Sequence, residues 1–268
     1  MFYLSPDAFI HFCQSQPIAV IWAVQLVFCF GCMLLFLRLF GAVGIYAYIT
    51  VMIVAANLEV LKAVKLPFFD DPVALGTVVF SSIYLGTDIL AEYYGPKIAR
   101  KAVWLGFASY TLMIAIMMLA LGLKPLTMAQ AGSEWAWAVE NHDHLMALFN
   151  PAPALLVAGM ISYLFSQLYD VWIFHFLKCL TRNRWLWLRN NASTMMSALL
   201  DNIIFSILAW RILSEDPMPW PVLIFTYILG TYALRVIVAL LDTPIIYLAR
   251  YFLPEEDRIL LEEEEASA

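Results

Sequence analysis

Charge is scarce in this sequence. Only 13% of the 268 residues are Asp, Glu, Lys or Arg, against 63% hydrophobic, and the mean hydropathy is +0.80, far beyond the roughly half-apolar usage of soluble domains. That excludes a water-soluble globular domain. Basic residues are outnumbered by acidic ones, 15 against 21, so the broad cationic face that nucleic acid requires is excluded as well. Cysteine is sparse: Cys13, Cys29, Cys32 and Cys179 make no disulfide framework, and the pair in CFGC lies in an apolar run where small residues help helices approach. No Gly-rich phosphate loop, HExxH or GxSxG is present, so no enzyme class has a motif to rest on and no cofactor is implied. His142 and His144 flank Asp143, but two imidazoles in one loop are not a metal set. The N-terminal MFYLSPDAFIHFCQSQP carries no positive leader, and the first apolar run is expected to be a retained helix.

What the chain does have is long apolar runs. A bilayer core needs about 20 apolar residues per helix, and the runs predict seven spans: 18–40, 42–61, 73–94, 101–123, 152–177, 192–213 and 221–250. Helix stops lie between them in FGAVG (40–44), LPFFDDP (66–72), YGPK (94–97) and SEDPMPWP (214–221). The fold class is therefore an all-α polytopic membrane bundle. Placing the N-terminus outside puts Arg38, Lys97, Arg100, Lys101, Lys178, Arg182, Arg184, Arg189, Arg250 and Arg258 in the cytoplasm, which predicts an N-out, C-in topology. Lys62, Lys65, Lys124 and Arg211 are the exceptions. The longest outer loop, about 124–151, carries Glu134, Trp135 and Trp137 in a segment suited to the headgroups. The tail LPEEDRILLEEEEASA (253–268) reads as an acidic, solvated, disordered end.

Against this background the polar residues inside the spans stand out. A charge at the centre of a membrane helix costs about 2.5–3.5 kcal/mol on insertion scales, yet Glu59, Asp88, Glu92, Asp170, Asp201, Arg235 and Asp242 all fall within runs. Tyr84, Asp88 and Glu92 recur every four residues and share one helix face. Tyr163, Gln167 and Asp170 form a second stripe, Ser193, Ser197 and Asp201 a third, and Thr231, Arg235 and Asp242 a fourth. Lipid cannot satisfy such faces, so they are expected to turn to a common interior and pair with one another, with water or with a solute. Tyr84, Tyr163, Tyr169 and Trp172 lie near the stripes and offer flat faces to a planar solute. KCLTRNRWLWLRN (178–190) reads as a positive-inside headgroup anchor.

Three blocks, IYLGTDILAEYYGPKIARKAVWLGF (83–107), SYLFSQLYDVWIFHFLKCLTRNRWLWLRNNASTMMSALLDNIIF (162–205) and YALRVIVALLDTPIIYLA (232–249), together with AANLEVLK (55–62), resemble the queuosine precursor transporter family, also called the vitamin-uptake-like family. The resemblance covers most of the chain after residue 45. It implies a multi-pass importer of 7-deazaguanine precursors, such as 7-cyano-7-deazaguanine, in the bacterial inner membrane, serving tRNA queuosine modification. It also implies a six-helix core at 42–252, preceded here by an extra membrane helix within 1–41 and followed by the tail at 253–268. The matching polar positions are Asn57, Asp88, Glu92, Gln167, Asp170, Asn191, Ser193, Asp201 and Arg235; at the last of these the family usually has Lys, and at the helix entry before Tyr84 this chain has FSSIYL in place of a Pro-containing step.

The expected site places Asp88 or Asp170 as a forked acceptor for the N–H and amino group of a guanine-like edge. Gln167 or Asn57 donates to the ring carbonyl, Tyr84 or Trp172 stacks on the ring, and the pocket lies near the cytoplasmic half. Glu92 or Asp201 is the expected proton carrier. Two other readings stay open at the level of sequence: an intramembrane enzyme using an Asp88–Asp170 dyad, and a solute-binding subunit of an ATP-energised importer. The oligomeric state, a homo-oligomer included, is not fixed by sequence.

Overall fold

A computed structural model describes residues 5–65, 73–149, 153–214 and 216–259. The expected stop at 66–72, and the tail from 260 onward, lie outside these residues. A short helix α1 (Pro6–Ser15), capped by the Ser5 hydroxyl, precedes the long α2 (Ile18–Glu59). Then come α3 (Thr77–Tyr93), α4 (Pro96–Gly122), α5 (Met128–Ala131), α6 (Ala136–Phe149), α7 (Pro153–Leu180), α8 (Leu186–Ile207), α9 (Trp220–Val222) and α10 (Thr231–Phe252). A two-stranded antiparallel ribbon pairs Ala63–Val64 with Val73–Ala74. Among the described residues five helices are long and apolar enough to cross a membrane: Ile18–Glu59, Pro96–Gly122, Leu155–Leu180, Leu186–Ile212 and Trp220–Phe252.

The first of these is two arms. Gly41 has φ 57°, ψ −139°, a combination open to glycine and strained for any side chain. Across a straight helix, 19 residues span about 28 Å, yet the Tyr48 hydroxyl donates to the Cys29 carbonyl, 19 positions earlier, at 3.1 Å. Further along, Gln25 Nε2 donates to both oxygens of Glu59 at 2.8 and 3.0 Å. The chain therefore reverses at Gly41, and the arms correspond to the expected runs 18–40 and 42–61.

Helix α3 is the central post. At 17 residues it spans about 26 Å, and every side chain from Val78 to Ala91 except Phe80 is buried. It packs against α2, α4, α7, α8 and α10. The surrounding helices turn large apolar side chains outward, among them Phe28, Leu119, Phe165 and Phe225, each more than half exposed, as a lipid-facing belt requires. The segment between α4 and α7 forms the helices α5 and α6.

With Lys62, Lys65, Lys124 and Arg211 away from it and Arg235 in the interior, most of the basic residues gather at one end. There Arg38 donates to the Leu253 carbonyl at 2.9 Å, Tyr46 to that of Ile98 at 3.2 Å and Tyr94 to Asp257 Oδ2 at 2.6 Å. Residues 253–259, which the sequence assigns to the tail, are ordered there: Leu253 is buried and 255–259 are helical. At the opposite end two wall helices are under-wound, with π-helical segments at Leu208–Ile212 after α8 and Leu223–Gly230 before α10.

Candidate functional site

The polar stripes meet in the interior as a column of three layers along α3, where residues four apart rise about 6 Å. In the layer farthest from the basic end, Tyr84 donates to Ser166 Oγ at 2.8 Å, Ser166 to Asp201 Oδ1 at 3.2 Å, and Arg235 to Asp201 Oδ2 at 2.5 Å. Thr87, one turn on, donates to Gln167 Oε1 at 3.0 Å.

The middle layer holds Asp88, Asp170 and Asp242, all fully buried. Each receives a bond from a neutral donor on α8: Thr194 to Asp88 at 3.0 Å, Ser197 to Asp170 at 2.7 Å and Asn190 to Asp242 at 2.9 Å. Beside it, Asn191 donates to Thr243 Oγ1 at 2.7 Å. In the layer at the basic end, Arg189 grips both oxygens of Glu92 at 2.5 and 3.0 Å, and Lys178 lies 3.4 Å from the same carboxylate. This lower layer is a salt-bridged plug.

Above the first layer lies a chamber of about 810 Å³, lined among others by Asn57, Phe80, Asp201, Trp210, Tyr227 and Arg235. That volume fits a small-molecule site. Its lining comes from the end of the second arm of α2, the starts of α3 and α7, the end of α8 and the start of α10. The chamber is thus at the end remote from the basic loops. The sequence expectation puts the pocket at the end that carries the basic loops, whereas the chamber lies at the other end of the bundle.

Of the eleven expected site residues, three line the chamber: Asn57, Asp201 and Arg235. Asn57 is anchored by its own donor to the Ile53 carbonyl at 2.7 Å. Tyr84, Asp88, Gln167, Asp170, Asn191 and Ser193 sit in the packed column beneath, since α3 is enclosed on all sides and the matching stretches of α7 and α8 close on it. Trp172 is 53% exposed and stacks with Tyr169 and Phe176, centroids 6.0 and 5.8 Å away, on the outer face of α7; it is no stacking partner for a solute in the interior. Tyr163 turns to α4, donating to the Val103 carbonyl at 3.4 Å. Glu92 and Asp201, expected to carry protons, are each held by an arginine.

Sequence reasoning left out Ser166, Arg189, Asn190 and Thr194, and gave Asp242 no role. Asp242 carried a legible signal: the tetrapeptide ALLD occurs at 198–201 and again at 239–242, and both copies place the aspartate in the column. Ser166 and Thr194 carried none, because hydroxyls in membrane helices commonly bond their own backbone. Among the described residues there is no metal-ligand cluster.

A multi-helix membrane bundle holding a solute-sized chamber, largely apolar with the Asp201–Arg235 pair on its wall, has the architecture of a transporter. The chain belongs to the family described as "Putative vitamin uptake transporter", whose model matches residues 74–249. Over 239 residues it is 32% identical to a protein of Bacillus subtilis (strain 168) named "Probable queuosine precursor transporter", covering 88% of this chain and 96% of that one. No solved structure matches it. It is a multi-pass membrane transporter, of a class that moves solutes rather than transforming them.

Proposed function

We propose that this protein imports queuosine precursors, 7-deazapurines such as 7-cyano-7-deazaguanine, across a bacterial inner membrane. The relative's name supports the solute class. The observation that carries the reading is the Asp201–Arg235 pair on the chamber wall. A guanine-like edge presents an acceptor followed by two donors, and a guanidinium beside a carboxylate presents a donor followed by two acceptors. Asp201 thus takes the role expected of Asp88 or Asp170, and Arg235, whose guanidinium also lies 5.8 Å from the Phe80 ring centroid, faces the ring carbonyl. Phe80, Tyr227 and Trp210 supply the flat walls.

The proposed topology is seven crossings, N-out and C-in, with the two arms of α2 and the short α3 supplying the spans that length alone does not count. The first arm, outside the six-helix core at 42–252, braces the second through the Tyr48 and Gln25 contacts.

Uptake of labelled 7-cyano-7-deazaguanine is the test, in cells unable to make deazaguanines and supplied with this gene alone. Accumulation is expected, and its loss on Asp201→Asn. No uptake above the empty cell would refute the reading; uptake only with an added ATPase would make the chain a subunit, and chemical conversion of the solute would make it an enzyme.

A further inference from the structure

Among the described residues the middle layer holds three carboxyl groups and no cation. No salt bridge reaches Asp88, Asp170 or Asp242 among the described residues; Glu92 and Asp201, by contrast, are both ion-paired. Each of the three has one oxygen bonded to a neutral donor and one buried oxygen without a partner: Asp88 Oδ1, Asp170 Oδ2 and Asp242 Oδ2. Asn190 Oδ1 beside Asp242 and Asn191 Oδ1 next to it are further orphan acceptors, against one orphan amide donor nearby, Gln167 Nε2, on the turn before Asp170. The carboxyls of Asp88 and Asp170 are within hydrogen-bonding reach of each other, and the negative charge of Asp242 is felt by both.

Three ionised carboxylates in so enclosed a place would be repelled by one another and stripped of water. Orphan acceptors in contact call for donors, and a proton supplies one without taking up any volume: a carboxylic acid on Asp88 donates to Asp170, or the reverse. The charged groups around the layer do not replace it. On α3, Glu92 is bound to Arg189 of α8 and Lys178 of α7, and Tyr84 donates to Ser166; toward the chamber, Arg235 of α10 is bound to Asp201 of α8. The charges of the two α2 arms and of α4 lie near the ends of each, Arg38 on the Leu253 carbonyl beside the Gly41 reversal, Glu59 on Gln25, and Lys97, Arg100 and Lys101 in the exposed first turns of α4. The buried phenols Tyr48 and Tyr110 bring no charge.

We propose that Asp88, Asp170 and Asp242 form a proton-binding centre, distinct from the solute chamber and one layer beneath it, whose loading and unloading drives the solute's movement. On loading, an O–H bond forms at a carboxylate oxygen and hydronium becomes water; on release that bond breaks and the proton returns to water. Tyr84, Ser166 and Asp201 of the first layer sit one helical turn from Asp88, Asp170 and Ser197 of the middle layer on α3, α7 and α8, so a movement of those helices that opens the chamber wall also repacks this layer. The link to transport rests on the importer reading, whereas the proton site is testable without any solute.

Infrared difference spectra of the purified full-length protein, recorded between acid and alkaline pH without solute, test the site. A protonated-carboxyl C=O band that changes with pH is expected, lost or shifted in Asp88→Asn and Asp170→Asn and shifted in Ser197→Ala, which keeps all three acids. In proteoliposomes the ratio of uptake driven by an inward proton gradient to counterflow exchange of labelled 7-cyano-7-deazaguanine is expected to fall about tenfold in the Asn variants, within the usual range of coupling between sites. Spectra without a titrating carboxyl band, or Asn variants that keep both the band and the gradient response, overturn the proposal. A wild-type protein that shows the band and moves no deazapurine would overturn the importer reading and leave the proton site standing.

Discussion

Arg189 holds Glu92 through two bonds, at 3.0 Å from Nε and 2.5 Å from Nη2, although the residues lie 97 positions apart. Its remaining amine reaches the carbonyls of Asn183 and Arg184 at 3.3 and 3.1 Å, so one side chain ties α3 to the turn before α8. Arg189 is only 2% exposed. Arg189→Ala leaves a largely enclosed carboxylate with the more distant Lys178 alone, and is expected to cost about 3–5 kcal/mol. Thermal unfolding in detergent measures it, and Glu92→Gln in the same chain should return part of the loss.

At the chamber, Asp201→Asn turns a charge-assisted acceptor into an amide with one acceptor. Bonds to charged groups are worth about 1.5–3 kcal/mol, so binding of 7-cyano-7-deazaguanine is expected to weaken about 10- to 150-fold by equilibrium binding or uptake KM. Arg235→Lys keeps the charge and loses the planar fork. A smaller loss of affinity is expected there, with the protein's melting temperature nearly unchanged.

Gly159 tests the position of Asn57. A Cβ at 159 would come within 2.8 Å of Asn57 Oδ1, whose amide nitrogen is already fixed on the Ile53 carbonyl. Gly159→Ala is expected to push the amide toward the chamber and lower uptake, while Asn57→Ala combined with Gly159→Ala should relieve the clash and recover folded yield. Yield unchanged between the single and double variants would refute the contact.

Gly41→Ala addresses the reversal in α2. The backbone there is strained for alanine, and its Cβ would meet Asp257 Oδ2 at 2.9 Å and Pro254 Cγ at 3.3 Å. A loss of about 1–3 kcal/mol is expected, read as a lower melting temperature. Tyr94→Phe, which removes the 2.6 Å bond to Asp257, should cost about 1 kcal/mol.

Helix faces were legible in the sequence because periodicity fixes them: Tyr84, Asp88 and Glu92 do share one side, and four helices do turn polar residues inward. The depth of each residue relative to the cavity was not. By spacing alone Asp88 and Asp201 are equivalent, but α3 is enclosed from every side, whereas the ends of α8 and α10 splay through π-helical segments and leave space beside Asp201. Ion pairing was equally hidden, since the partner of Glu92 is 97 residues away. FGAVG was readable as a stop, yet nothing in the residues says that a single glycine would suffice to turn the chain.

That single-residue hinge leaves no slack. With no loop between them, and with Tyr48 and Gln25 bolted across, the two N-terminal arms have to travel as one piece. Any tilting within the bundle therefore falls to the under-wound helices, whose wide turns can tighten against a frame that stays put.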